Sequence, residues 1–157
     1  MTDFSALYER YAPDVFRFAL YLSGDRHEAE DITSETFVRA WTAPEPIRTA
    51  TVKGYLLTIA RNLFLQGLRR KSRQTAIDDE LRDPRASADG QAERNSEVAA
   101  VLANLQRIPE GDRAALLLRA VEEMPYDEIA RALGISLAAT KVRIHRARLA
   151  LADVRSD

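Results

Sequence analysis

Leu7, Tyr8, Tyr11, Val15, Phe18, Ala19 and Leu22 recur at steps of three and four, which predicts an amphipathic helix with one face turned to a core. Pro13 falls inside this stripe and predicts a kink or a fresh first turn. "SGDRHEAED" then turns the chain, with Gly24 as helix stop and Asp25 as cap of the next helix. That second helix carries Ala29, Ile32, Phe37, Val38 and Trp41 as its apolar residues, and "TAPEPIRTAT" (42–51), with two prolines, reads as a loop. A third helix is expected from about Val52 through Tyr55, Leu56, Ile59, Leu63 and Phe64 to the basic "RRKSR".

The pattern then changes. Residues 74–97 have no aromatic residue and hold Pro84, Gly90 and many small polar side chains, a composition that reads as a linker with room for one short helix. Helical periodicity returns at Val98, Val101, Leu102 and Leu105 and breaks at "IPEGD". A further helix is expected over about Arg113 to Val121. Another starts near Pro125 and stops at Gly134, and Ser136 caps the last one. No strand-like alternation or internal repeat is seen. The fold class expected is all-α: two small helical domains, 1–73 and 98–157, joined by a flexible linker, 74–97.

The whole chain has a formal net charge of −1, but charge is unevenly placed. Residues 46–73 hold seven bases and no acid, and residues 131–155 hold six bases and one acid. Residues 74–97 hold seven acids against three bases. Two basic islands in an acidic chain suit local polyanion binding with little indiscriminate sticking. There is no cysteine, hence no disulfide, iron–sulfur cluster or thiolate zinc site. No apolar run is long enough for a membrane span and no secretory signal is evident, so a cytoplasmic protein is expected.

"YDEIARALGISLAATKVRIHRARLAL" (126–151) has the grammar of a helix–turn–helix. Ala130 is small where two helices cross, Gly134 supplies the turn, and Ile135 plugs the core. Thr140, Ile144, Ala147 and Leu151 share one seam of the last helix. Lys141, Val142, His145, Arg146 and Arg148 lie on the other side, a basic front suited to a DNA major groove. Lysine and arginine neutralise phosphates, and arginine also pairs with guanine edges.

"AEDITSETFVRAW" (29–41) followed by "YLLTIARNLFLQGLRRKSR" (55–73) closely resembles region 2 of sigma-70 family factors of the extracytoplasmic-function (ECF) type, and "IPEGDRAALLLRAVEEMPYDEIARALGISLAATKVRIHRARLAL" resembles their region 4. The resemblance covers about residues 5–152. It implies an alternative sigma factor that brings core RNA polymerase to promoters and assists opening. Its partners would be the beta-prime and beta subunits, promoter DNA and an anti-sigma factor, with no cofactor, no metal and no catalysis of its own. The implied beta-prime contacts are Asp31, Glu35 and Arg39, which step by four along one face; Ser34 stands where the family often has Gln. Phe37, Val38 and Trp41 are expected to anchor that helix to its own domain.

The resemblance also implies that the loop 42–53 and the third helix read the minus-ten element, with Asn62 on a base edge and Arg61, Arg69, Arg70, Lys71 and Arg73 on phosphates. Tyr55, where the family often has Trp, is read equally as core or as a stacking platform. Region 4 would contact the minus-thirty-five element through Ala139, Lys141, Val142, Arg143, His145, Arg146 and Arg148. Ala139, Thr140 and Val142 depart from the usual "G-T-V-K-S-R" pattern, and methyls of Ala139 and Val142 favour thymine.

As a free coil, twenty-four residues span about 25–30 Å. Two promoter elements about 20 to 25 base pairs apart lie roughly 70–85 Å from each other at ~3.4 Å per pair. A scaffold, the polymerase, is therefore needed to hold the two readers apart. The rival readings are weaker. His27, Glu30, Asp31 and Glu35 share helical spacing, but one histidine among acids is a poor metal set. A dimeric repressor or activator would footprint DNA alone, and a protein-only adaptor would ignore DNA.

Overall fold

The computed structural model describes residues 4–43, 51–78 and 96–156, and every regular element among them is an α-helix. The helices are α1 (Phe4–Ser23), α2 (Arg26–Thr42), α3 (Val52–Asp78), α4 (Ser96–Gln106), α5 (Glu110–Ala120), α6 (Tyr126–Leu133) and α7 (Leu137–Ser156). The all-α expectation holds. Residues 74–78, expected in the linker, instead prolong α3. No glycine or proline occurs between residues 68 and 83, so each further residue adds a helical hydrogen bond to a helix already nucleated. Residues 96–97, also expected in the linker, open α4, while 79–95 and most of the loop 42–53 lie outside the described residues.

Of the two expectations at Pro13, a kink or a fresh first turn, the second does not occur: α1 passes through it. The missing N–H deprives only the Glu9 carbonyl, and both Glu9 and Pro13 are exposed, so water can serve that carbonyl. Val15, Phe18, Ala19 and Leu22 are buried on one face, and Leu7 and Tyr11 pack against the same core from the first half. Gly24 ends α1 at φ +73°, its N–H donating to the Leu20 carbonyl at 2.7 Å. The Asp25 carboxylate then caps α2 by accepting from the Glu28 N–H at 3.0 Å.

α2 buries Ala29, Ile32, Thr33, Thr36 and Phe37. The two threonine hydroxyls donate to the carbonyls of Ala29 and Ile32 at 2.7 and 2.6 Å, so no buried polar atom is stranded there. The anchoring role given to Val38 and Trp41 is corrected: they are 50% and 54% exposed, while Phe37 is fully buried. Trp41 lies in the last turn, where its ring meets that of Phe4 edge-to-face at 5.4 Å between centroids. α1, α2 and α3 pack on one another as the first unit.

In the second unit α7 packs along α5 and α6. Val98 and Val101 of α4 are exposed rather than core-facing; Leu105 is the residue that turns inward. α5 starts at Glu110, three residues before the expected Arg113, with Glu110 and Asp112 in its first turn, where the helix dipole favours acids. Pro125 occupies the cap position before α6 rather than its first helical position, with extended ψ of 150°.

The turn before α7 is built as the sequence implies. Gly134 takes a left-handed conformation (φ +68°), and the Ile135 N–H donates to the Ala130 carbonyl at 3.0 Å. The Ser136 hydroxyl accepts the Ala139 N–H at 3.0 Å. Ser136→Ala removes this cap and should lower stability by about 1 kcal/mol; chemical denaturation of the two proteins checks it, and an unchanged midpoint would remove the cap's role.

The two units are not held apart. α1 packs on α4 and α5, and α3 packs on α6. One continuous core runs from Val15, Phe18 and Leu57 to Leu105, Ile108, Leu116, Ile129 and Ile144.

Candidate nucleic-acid interface

The basic front of α7 rests on a seam that the structure places inward. Thr140, Ile144 and Ala147 are buried, and Leu151 is half-buried. The Thr140 hydroxyl donates to the Ser136 carbonyl at 2.9 Å, which accommodates a polar group on an apolar seam. Lys141, Val142, His145, Arg146 and Arg148 are exposed on the opposite side, with Leu149 beside them.

Ala139 and Arg143 are half-buried. Arg143 leans over the first turn of α5, so that a Cβ added at Gly111 would come within 2.6 Å of its Nη1. Arg146 Nη2 donates to Asp112 Oδ1 at 3.0 Å. These two arginines are thus aimed by α5 as well as offered to solvent. The signal for this was the acidic "EGD", read in the sequence only as a break.

On α3, Asn62, Gln66, Arg69 and Arg73 recur at steps of four, three and four and are all exposed. From Asn62 to Arg73 the stripe is roughly 16 Å long at ~1.5 Å per residue. Gln66, Arg69, Arg70, Ser72 and Arg73 line an open cleft along it. Lys71 donates to Glu28 at 2.9 Å across to α2. Tyr55 resolves toward the core reading: its hydroxyl is buried, with no hydrogen-bond partner among the described residues.

Arg61 differs from its expected neighbours. It forms a bidentate pair with Glu110 of α5, Nη2 to Oε1 at 2.7 Å and Nε to Oε2 at 2.9 Å. Asp31, Glu35 and Arg39 are all exposed on the outer side of α2, where Arg39 Nε meets Glu35 Oε1 at 3.2 Å. Phe4, Tyr8 and Trp41 form an exposed aromatic patch nearby, in which Phe4 was not foreseen. No group of three histidine, aspartate or glutamate side chains suits a metal among the described residues, and His27 is exposed.

Two family models match this chain: Sigma-70 region 2 over residues 7–74, and Sigma-70, region 4 over residues 99–151. The ECF RNA polymerase sigma factor SigM of Bacillus subtilis is 33% identical over 144 residues, covering 90% of this chain and 88% of SigM. This chain belongs to the ECF group of the sigma-70 family. SigE of Mycolicibacterium smegmatis, an ECF RNA polymerase sigma factor, is 36% identical over 158 residues; the match covers 98% of this chain and 62% of SigE's length. Among solved structures, RpoE in complex with the anti-sigma factor NepR from Bartonella quintana superposes with a TM-score of 0.80 at 24% identity, covering 99% of this chain and 98% of that one. CnrH in complex with the cytosolic domain of CnrY gives 0.70 at 25% identity, covering 98% and 87%.

Contacts between region 2 and region 4 were not foreseen. Glu122, with a fully buried side chain, accepts from Arg17 Nη2 at 2.8 Å and Nε at 3.1 Å. Lys53 Nζ approaches the same carboxylate at 3.2 Å. The Glu122 hydrogen bond is the main reason the Arg17 guanidinium is held above its usual pKa. The Thr51 hydroxyl accepts the Gly54 N–H at 3.0 Å, capping α3, and donates to the Glu128 carboxylate. Arg113 is buried at the junction; it donates to the carbonyls of Ile108 (2.8 Å) and Leu105 (3.4 Å) and lies 5.9 Å from the Phe64 ring. Burial pushes its guanidinium below the usual pKa.

Proposed function

We propose that this chain is an alternative sigma factor that directs core RNA polymerase to specific promoters and assists their opening. In this reading residues 1–73 bind core polymerase and the minus-ten element, 98–157 bind the minus-thirty-five element, and 74–97 join them. The observation that carries it is that two separate basic surfaces, the α3 stripe and the front of α7, are exposed on one chain beside an exposed Asp31–Glu35–Arg39 face. The protein supplies binding surfaces and the polymerase supplies the chemistry, in the cytoplasm. No helix among the described residues is long and apolar enough to cross a membrane. An anti-sigma factor is the proposed regulator. RpoE and CnrH, which share the fold, were solved with bound partners, and the Phe4–Tyr8–Trp41 patch gives such a partner an apolar hold.

Run-off transcription with purified core enzyme, with and without this protein, tests the proposal on promoters of the host genome. Asn62→Ala should cut open-complex formation about tenfold, the loss of roughly 1–3 kcal/mol of base recognition. Arg148→Ala should weaken DNA binding by the holoenzyme at all sequences and reduce the salt slope by about one. No stimulation of core enzyme by the wild-type protein would overturn the reading.

A further inference from the structure

We propose that Asp112, in the first turn of α5, is a positioning residue that pins Arg146 of α7 toward a guanine edge and so sharpens base choice in the upstream promoter element. The proposal rests on α7 being the minus-thirty-five reader and adds the residue that sets its selectivity.

The pair is lopsided. The Asp112 side chain is only 9% exposed, whereas that of Arg146 is 59% exposed. The carboxylate is therefore fixed in the protein, and the guanidinium reaches out from it. α5 supports the fixed end, because its N-terminal dipole favours an acid in the first turn. The α7 end is set by Thr140, Ile144 and Ala147, whose burial fixes which way that helix faces. Among the described residues, Arg146 is the one cation on this front held in an ion pair, while Lys141 and Arg148 are exposed beside it.

The hydrogen bond leaves a reading edge open. Arg146 Nη2 donates to Asp112 Oδ1 at 3.0 Å, which uses one of its two hydrogens. The other hydrogen, together with Nη1 or Nε, still forms a parallel pair of donors, the pattern that guanine O6 and N7 accept. An arginine pinned in advance loses less rotamer freedom on binding, and it is held back from swinging to a phosphate.

For affinity alone, an acid beside a DNA-reading helix is unfavourable, because it offsets a cation that would otherwise neutralise a phosphate. Selectivity is what such an acid improves. Removing it should therefore move two quantities in opposite directions, weaker base preference and tighter binding to any sequence, whereas damage to the fold weakens both.

Holoenzyme made with the full-length chain tests this on promoter duplexes randomised at the upstream element and on a duplex of unrelated sequence. The parent should prefer guanine at one position, and Arg146→Ala should erase that preference. Asp112→Ala should lower it about tenfold while binding the unrelated duplex about threefold more tightly, with a salt slope steeper by about one for the released cation. Asp112→Asn, which keeps an uncharged acceptor, should fall between. In an Arg146→Ala background, Asp112→Ala should change the preference no further. In the free full-length protein, Arg146 Nε should show a higher NMR order parameter than Arg148 Nε, and Asp112→Ala should remove the difference. A guanine preference that survives Asp112→Ala, one that does not depend on Arg146, or an Arg146 side chain as mobile as Arg148 in the parent would overturn the proposal. The order parameters involve no polymerase, so they judge the pairing even where run-off transcription with the parent rejects the sigma-factor reading.

Discussion

Glu35→Arg should bind core RNA polymerase about thirtyfold more weakly than the parent, a loss of ~2 kcal/mol that combines a vanished attraction with a new like-charge contact. The effect is large because Glu35 is exposed on the outer side of α2, between Asp31 and Arg39, and its one described partner is Arg39 at 3.2 Å. An exposed pair of this spacing contributes only about 0.3–0.5 kcal/mol to folding. The melting temperature should accordingly stay within about 2 °C. Titration of labelled protein with core enzyme, alongside a thermal melt, separates the two quantities. Parent-like affinity would remove Glu35 from the docking face.

Phe37→Ala, two residues away, should do the reverse. Its ring is fully buried and tilts against Tyr8 at 4.9 Å between centroids. Truncating such a phenylalanine costs about 3–5 kcal/mol in lost burial and residual cavity. That is a large share of the ~5–15 kcal/mol that holds a domain folded. The melting temperature should fall by about 10 °C. Below the new midpoint polymerase affinity should return, because Asp31, Glu35 and Arg39, the side chains proposed to dock, lie exposed on α2's outer side and are untouched. A melt within 2 °C of the parent would contradict the packing described for α2.

The contrast between Phe37 and Trp41 shows where sequence reading stopped. Both are aromatic and four apart, so periodicity assigns them one face. Whether that face is covered depends on what lies opposite. Phe37 meets Tyr8 and the core, whereas Trp41, in the last turn of α2, stacks edge-to-face with Phe4 at the start of α1 and stays 54% exposed. Pro13 teaches the converse. The local rule allowed a fresh helix to start there, and packing of both halves of α1 on one core keeps a single helix instead.

What the chain determined alone was local. The helices, the Gly24 and Gly134 stops, the Asp25 and Ser136 caps and the basic front of α7 depend on neighbours within about four residues, the reach of helical periodicity and capping. Tertiary structure decided which charges meet. Arg17 and Glu122 are 105 residues apart, Thr51 and Glu128 77, and Arg61 and Glu110 49. Nothing in their local context marks them as partners. Their pairing follows from region 4 packing on region 2, and that packing turns an arginine read as a phosphate contact into half of an internal ion pair.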